Sequence, residues 1–187
     1  MPPLFHVVLH QPEIPNNTGN IGRTCVATAS SLHLIHPLGF DTSEKACRRA
    51  GLDYWPRLDL HHHASWHDYL ANAEHPSLWL LSTRGSRSLF DAPLHKGDHL
   101  VFGSETAGLP ATILRAHPGR VLSLPMAPGE RSLNLATAVC AVLYEGLRQL
   151  IHRRDVRLSA TGRLRVRPPS PRRTADPALP RPRTLSP

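Results

Sequence analysis

Five short apolar runs, each closed by turn-forming residues, limit what this chain can become: residues 4–9, 32–36, 78–82, 100–102 and 121–124. Each has the length of a strand buried on both faces. Stretches with helical spacing separate several of them, at 19–30, 43–50, 65–73, 110–116 and 133–152. In the last, Leu135, Val139, Val142, Leu143, Leu147 and Leu150 recur at three- and four-residue steps and form one apolar stripe. That stripe must pack on the sheet, on a second subunit, or on both. Alternating strands and helices predict an α/β domain with a largely parallel sheet and helices on both faces. A chain of 187 residues holds one such domain and its core.

The formal net charge of +8 changes meaning when it is divided along the chain. Residues 1–150 hold 12 Lys/Arg and 12 Asp/Glu, whereas residues 151–187 hold 10 Arg against Asp155 and Asp176. The end of the chain also carries seven of the 19 prolines and little aromatic or β-branched content. Residues 1–154 therefore form the expected domain, and 155–187 an Arg- and Pro-rich tail that cannot repay the entropy of ordering. The residues alone leave open whether that tail is an arm attracting RNA phosphate or simply biased composition.

Cys25, Cys47 and Cys140 make neither a CxxC pair nor a secreted disulfide framework. The beginning of the sequence lacks a charged segment followed by a long apolar run, and no stretch reaches 18 apolar residues. A soluble, reducing, cytoplasmic setting with no membrane partner is the expectation. Among 13 histidines, His61-His62-His63 with nearby His67 invite a metal hypothesis. Consecutive histidines point in different directions, and neither HExxH nor Cys/His spacing accompanies them, so they are expected in a solvated loop or helix entry and not in a metal site.

Three loops follow expected strands and so gather at the carboxyl edge of the sheet, where α/β proteins bind ligands: residues 82–85, 103–108 and 125–132. Their Gly and Pro content lets backbone approach a ligand closely. The sequence lacks GxGxxG after the first strand, GxxxxGK[ST] and a GxSxG elbow, which removes support for a dinucleotide fold, a P-loop or an esterase-like nucleophile.

The segments PEIPNNTGNIGR (12–23), FGSETAGLP (102–110), LPM (124–126) and RSLNLATAV (131–139) resemble, in order and spacing, the three motifs of SPOUT-class RNA 2′-O-methyltransferases. The similarity covers about residues 4–152 and is greatest to the short TrmL-type branch, which modifies cytidine or uridine 34 of tRNA. The absence of an N-terminal RNA-binding extension points to the same branch; the motifs themselves leave another tRNA or rRNA position open, and a non-catalytic RNA-binding relative as well.

This resemblance implies a C-terminal trefoil knot (an α/β-knot), S-adenosyl-L-methionine as methyl donor, tRNA as substrate, no metal, and a homodimer in which two subunits complete each site. It implies cofactor-binding positions at Leu81, Gly103, Leu124 and Ser132, with Met126 and Leu133 as further walls. Leucines would sandwich adenine, and Gly103 would remove a side chain that blocks it. Asn17, Arg23, Glu105 and Asn134 become the catalytic candidates. Asn17 would cap the helix that carries Arg23. A guanidinium is a poor base, so Arg23 is expected to position the ribose hydroxyl and a phosphate. Asn134 and Ser132 would orient Arg23 or the ribose, and Glu105 would pair with an arginine or fix its loop.

The stretch RRAGLDYW (48–55) also resembles that branch, and Arg48, Arg49 and Tyr54, together with Arg131, are the expected RNA contacts. Packing of Tyr54 and Trp55 at a subunit interface is the alternative. Ala107 stands where a basic residue is more usual, which puts one RNA or cofactor contact in doubt.

Overall fold

In a computed structural model of the chain, residues 2–43, 51–73 and 76–165 are described. Seven strands are β1 (His6–His10), β2 (Ser31–Ile35), β3 (Leu60–His63), β4 (Leu78–Leu81), β5 (Arg87–Ser88), β6 (His99–Phe102) and β7 (Val121–Ser123). Among the described residues four α-helices accompany them: α1 (Pro15–Ala27), α2 (Trp66–Asn72), α3 (Ala111–Ala116) and α4 (Leu135–His152). The strands form one sheet in the order β3-β2-β1-β6-β4-β7-β5, and every pairing is parallel.

Successive residues of each strand serve opposite faces, which is why the runs are continuously apolar. Val7, Leu9, Leu100, Phe102 and Leu122 pack with the apolar stripe of α4, where Val139, Val142, Leu143, Leu147 and Leu150 are buried. Helix α1 lies on this same face, adding Ile21 and Cys25. Val8, Leu80 and Val101 point the other way, onto Tyr69 of α2 and Ile113 of α3. Gly146 brings α4 against Phe5: a Cβ there would stand 2.6 Å from Phe5 Cζ.

Two expectations change, and a third falls on residues that are not described. Helix α1 starts at Pro15, four residues before the apolar spacing suggests, because proline is well placed in a first turn. The helix expected at 43–50 lies largely outside the described residues. Val156, beyond the boundary expected at 154, is buried in the core, and an antiparallel bridge between Leu158 and Leu164 closes a turn after it. Residues 166–187 lie outside the described part.

The histidine run is also corrected: His61, His62 and His63 belong to strand β3 at the sheet edge. Period-two alternation puts His61 and His63 on the α2 face, where they join His33, His6 and His99 from the neighbouring strands. His6 Nδ1 lies 3.0 Å from His33 Nε2, and His33 Nδ1 lies 3.0 Å from His63 Nε2. Ser31 Oγ sits 2.8 Å from His6 Nδ1, Tyr69 Oη lies 2.5 Å from His99 Nδ1, and the His6 and His99 rings stack at 4.1 Å. Neutral imidazoles can each donate and accept one bond, so the array is satisfied without charge. Among the described residues no three His, Cys, Asp or Glu side chains are arranged to hold a metal ion.

Burial and the neighbouring imidazoles hold the pKa of His33 down to about 2, and burial with His6 holds that of His99 down to about 3. Burial lowers His6 and His63 as well, and for His63 the Asp68 carboxylate opposes the lowering. In the unfolded chain these groups titrate near 6.5, so below that pH the unfolded state binds protons that the folded state refuses. Stability should therefore hold above about pH 6.5 and fall at lower pH, by about 1.4 kcal/mol per pH unit for each imidazole kept neutral. Urea unfolding midpoints between about pH 7.5 and 4.5 should show this decline, and His33→Gln should make it shallower by about one proton. An equal slope in wild type and variant would show that His33 takes no part in it.

Candidate functional site

The three carboxyl-edge loops meet around a cavity of about 550 Å³, within the usual range for small-molecule sites. Asn17, Leu81, Gly103, Glu105, Leu124, Met126, Arg131, Ser132, Leu133 and Asn134 all line it, so ten of the residues singled out in the sequence converge. Leu81 ends β4, Gly103 follows β6 directly, and residues 124–134 run from β7 to α4. Ile14, Thr83, Arg84, Leu109 and Leu135 complete much of the wall, and the sequence does not single them out as site residues. Ile14 and Leu109 lie inside motif segments, Thr83 and Arg84 in the 82–85 loop, and Leu135 in the apolar stripe of α4, signals that mark the segment without marking the side chain as a wall.

The polar centre of the site is a chain of bonds joining all three motifs. Glu105 accepts hydrogen bonds from Glu13 N (2.8 Å), Ile14 N (3.3 Å) and Asn17 Nδ2 (2.9 Å). Asn17 Oδ1 in turn accepts from Asn134 Nδ2 at 3.0 Å, and Asn134 Oδ1 accepts from Thr137 N at 3.2 Å, capping α4. The loop is also held in the reverse direction: Thr106 donates through its N–H (3.2 Å) and its hydroxyl (2.7 Å) to the Glu13 carboxylate. This Glu13–Thr106 exchange joins residues 93 positions apart and leaves no spacing signal in the sequence.

Several expected roles shift accordingly. Asn17 does not cap α1; the cap position is Ile14, and Asn17 sits inside the first turn, buried, with its amide spent on Glu105 and Asn134. Glu105 fixes the loop and pairs with no arginine among the described residues. Asn134 orients Asn17, not Arg23. Gly103 is also required by its own loop: a Cβ there would stand 2.0 Å from the Gly108 carbonyl carbon, so the loop could not fold back on itself. Gly108 helps that turn with a φ of +69°.

Arg23 is not at the cavity. It lies on the outer side of α1, its guanidinium 4.4 Å above the Tyr54 ring and 3.5 Å from Asp53 Oδ1, with 61% of its side chain exposed. Tyr54, expected to stack on RNA, is instead buried in the core and donates its hydroxyl to the Gly19 carbonyl at 2.5 Å. Trp55 is buried beside it, in the core of the same chain. Arg131 is exposed at the cavity rim, whereas Arg48 and Arg49 lie outside the described residues. Ala107 is exposed on the rim loop.

A half-open slot walled by Leu81, Leu124, Leu133 and Leu135, with loop backbone at its edge, suits a flat heterocycle carrying a polar extension. Leu133 stays 42% exposed and Ile14 45% exposed, which leaves apolar surface for a ligand to cover. The donor set therefore fits S-adenosyl-L-methionine: leucines for adenine, and the loop 82–84 and Arg131 near its polar ends.

A parallel sheet with a motif-built nucleoside slot at its carboxyl edge is the framework of an α/β group-transfer enzyme. The chain belongs to the SpoU rRNA Methylase family, whose profile matches residues 4–144. Among its relatives is the tRNA (cytidine(34)-2'-O)-methyltransferase of Saccharophagus degradans, 46% identical over 148 residues, covering 79% of this chain and 96% of that protein. The Escherichia coli K12 protein of the same name is 46% identical over 151 residues, covering 79% and 94%. A solved structure described as giving structural insights into the 2-OH methylation of C/U34 on tRNA matches with a TM-score of 0.76 and 45% identity, over 82% of this chain and all of that one. The AviRb methyltransferase of Streptomyces viridochromogenes, in complex with AdoMet, matches with a TM-score of 0.69 and 27% identity, over 81% and 63%.

Asn134 both caps α4 and holds Asn17, and the two tasks can be separated. Asn134→Ala should cost about 1–2 kcal/mol of stability in urea unfolding. Asn134→Asp keeps the cap acceptor but sets a carboxylate against Asn17 Oδ1, so it should retain most stability and still weaken cofactor binding in calorimetry. Equal cofactor affinity in the Asp variant and wild type would separate Asn17 from the site.

Proposed function

We propose that this protein transfers the methyl group of S-adenosyl-L-methionine to the ribose 2′-hydroxyl of the wobble nucleotide, cytidine or modified uridine at position 34, of tRNA. The observation that carries the reading is the bond chain from Glu105 through Asn17 to Asn134, which draws the three motifs of the family around one nucleoside-sized cavity. The relatives named for this activity support the choice of nucleotide. Action on tRNA implies a cytoplasmic setting.

The bound donor supplies a methyl on a sulfonium, already an activated electrophile. The chain's own residues must then hold the ribose in line, exclude water and ease departure of the hydroxyl proton. Leu81, Leu124, Met126 and Leu133 form the dry walls, and Gly103 and Ser132 bring backbone and hydroxyl to the rim. Asn17 and Asn134 fix the floor that meets the ribose, with Glu105 holding them. Arg131 at the rim, together with Arg48 and Arg49, is suited to phosphate. Arg23 positions the 2′-hydroxyl and its neighbouring phosphate; its guanidinium is too weak a base to take the proton.

Because Arg23 lies outside the cavity of its own chain, it reaches a reaction centre only across an interface. A homodimer in which Arg23 of one subunit serves the cavity of the other satisfies this. The strand order returns β6 and β7 to the middle of the sheet after β5 has been laid at its edge, which supports the knotted C-terminal segment around residues 125–134.

Purified protein incubated with S-adenosyl-L-methionine and total tRNA from a strain lacking the gene should restore 2′-O-methylation at position 34, mapped by mass spectrometry. A methyl group at another tRNA position, or on rRNA alone, would overturn the wobble assignment. Shared sites give a second expectation. Arg23→Ala and Asn134→Ala should each be inactive, and an equimolar mixture of the two should recover about a quarter of wild-type activity through mixed dimers. No recovery on mixing would place Arg23 and Asn134 in the same site of one chain.

A further inference from the structure

A second cavity, of about 260 Å³, lies against α1 and shares no lining residue with the cofactor slot. Its floor is the first two turns of that helix, Asn16, Thr18, Gly19 and Asn20; Phe40, Leu52 and Trp55 form its apolar sides, and Asp41 its edge. Thr18 is only 1% exposed, and its hydroxyl is the one buried side-chain oxygen or nitrogen among the described residues that has no hydrogen-bond partner. An orphaned buried hydroxyl costs stability unless something else meets it, and Thr18 is one of the residues along this cavity. Asn16 and Asn20 stand one turn apart, so both amides serve the same side of the helix. Gly19 lies between them, where a Cβ would make ordinary contact with Leu52 and the Tyr54 hydroxyl at 3.6 Å.

Among the described residues no lysine or arginine lines this cavity, whereas the Asp41 carboxylate does, oriented by bonds from Ser43 N (2.7 Å) and Ser43 Oγ (3.0 Å). A flat heterocycle with donors and acceptors on its edge fits: apolar and aromatic walls for its faces, two amides and a hydroxyl for its rim. Asn17, which lines the cofactor slot, adjoins Asn16 and Thr18, so α1 borders both cavities.

Building on the RNA methyltransferase reading, we propose that this cavity is a base-recognition subsite. It takes one unstacked base of the RNA loop, other than the methylated nucleotide, with the Thr18 hydroxyl and the Asn16 and Asn20 amides on its edge.

The test uses full-length protein and anticodon stem-loop RNAs that each lack one loop base. Wild type should bind one such abasic RNA, at a position other than the methylated one, about tenfold more weakly than intact RNA. The double variant Thr18→Val/Asn20→Ala should bind intact RNA about tenfold more weakly, and removal of that base should then have no further effect. Its affinity for S-adenosyl-L-methionine should match wild type. Thr18→Val alone should unfold at the same or a higher temperature, because it removes an orphan hydroxyl from the free protein. Undiminished sensitivity to the abasic position in the double variant would overturn the subsite while leaving the methyltransferase reading intact. Weakened self-association in place of altered base sensitivity would also overturn it, by assigning the cavity to contact between copies. A wild type that methylates no RNA would remove both readings.

Discussion

Helix α1 begins behind an isoleucine and a proline, so its own sequence supplies no side-chain acceptor at its amino end and no acidic residue in its first turn. The Glu105 carboxylate arrives from a loop 91 residues away and takes that place, where the helix dipole also favours negative charge. Hydrogen bonds to a carboxylate are the stronger kind, and three of them here converge on one side chain. The loop after β6 and the start of α1 are thereby held as one unit. Asn134 extends the same bond chain to α4, so three distant segments are joined through Asn17 to that carboxylate.

The sheet makes that junction possible. Every strand runs in the same direction, so the loops after β4, β6 and β7 emerge together, and burial of β1, β2, β4 and β6 on both faces keeps the centre of the sheet in register. Gly103 and Gly146 mark where backbone or ring must approach too closely for any side chain. Both sit at contacts between packed segments, one in the cofactor loop and one beneath α4.

The strand runs and the apolar stripe of α4 were legible because burial on two faces and packing on one face write directly into residue type. The gathering of the loops followed from strand direction, and most cofactor-wall positions followed from the motifs. Strand β3 was not legible: its histidines read as solvated until their neighbours supply partners, and only the parallel pairing with β2 aligns His61 with His33. The start of α1 was misplaced because its cap is provided by Glu105 and not by a local side chain. Arg23 and Tyr54 sit in a motif and in a basic-aromatic stretch, signals that give residue type without direction. Only the fold shows Tyr54 turned inward to Gly19 and Arg23 lying over it, away from the slot.

The central claim is that the Glu105 carboxylate organises the cofactor slot through α1 and Asn17. Calorimetric titration of Glu105→Gln with S-adenosyl-L-methionine tests it most directly, since the amide keeps the size of the side chain and removes its charge. The account predicts a folded protein with affinity reduced about tenfold or more. A folded variant that binds the cofactor as tightly as wild type would contradict it.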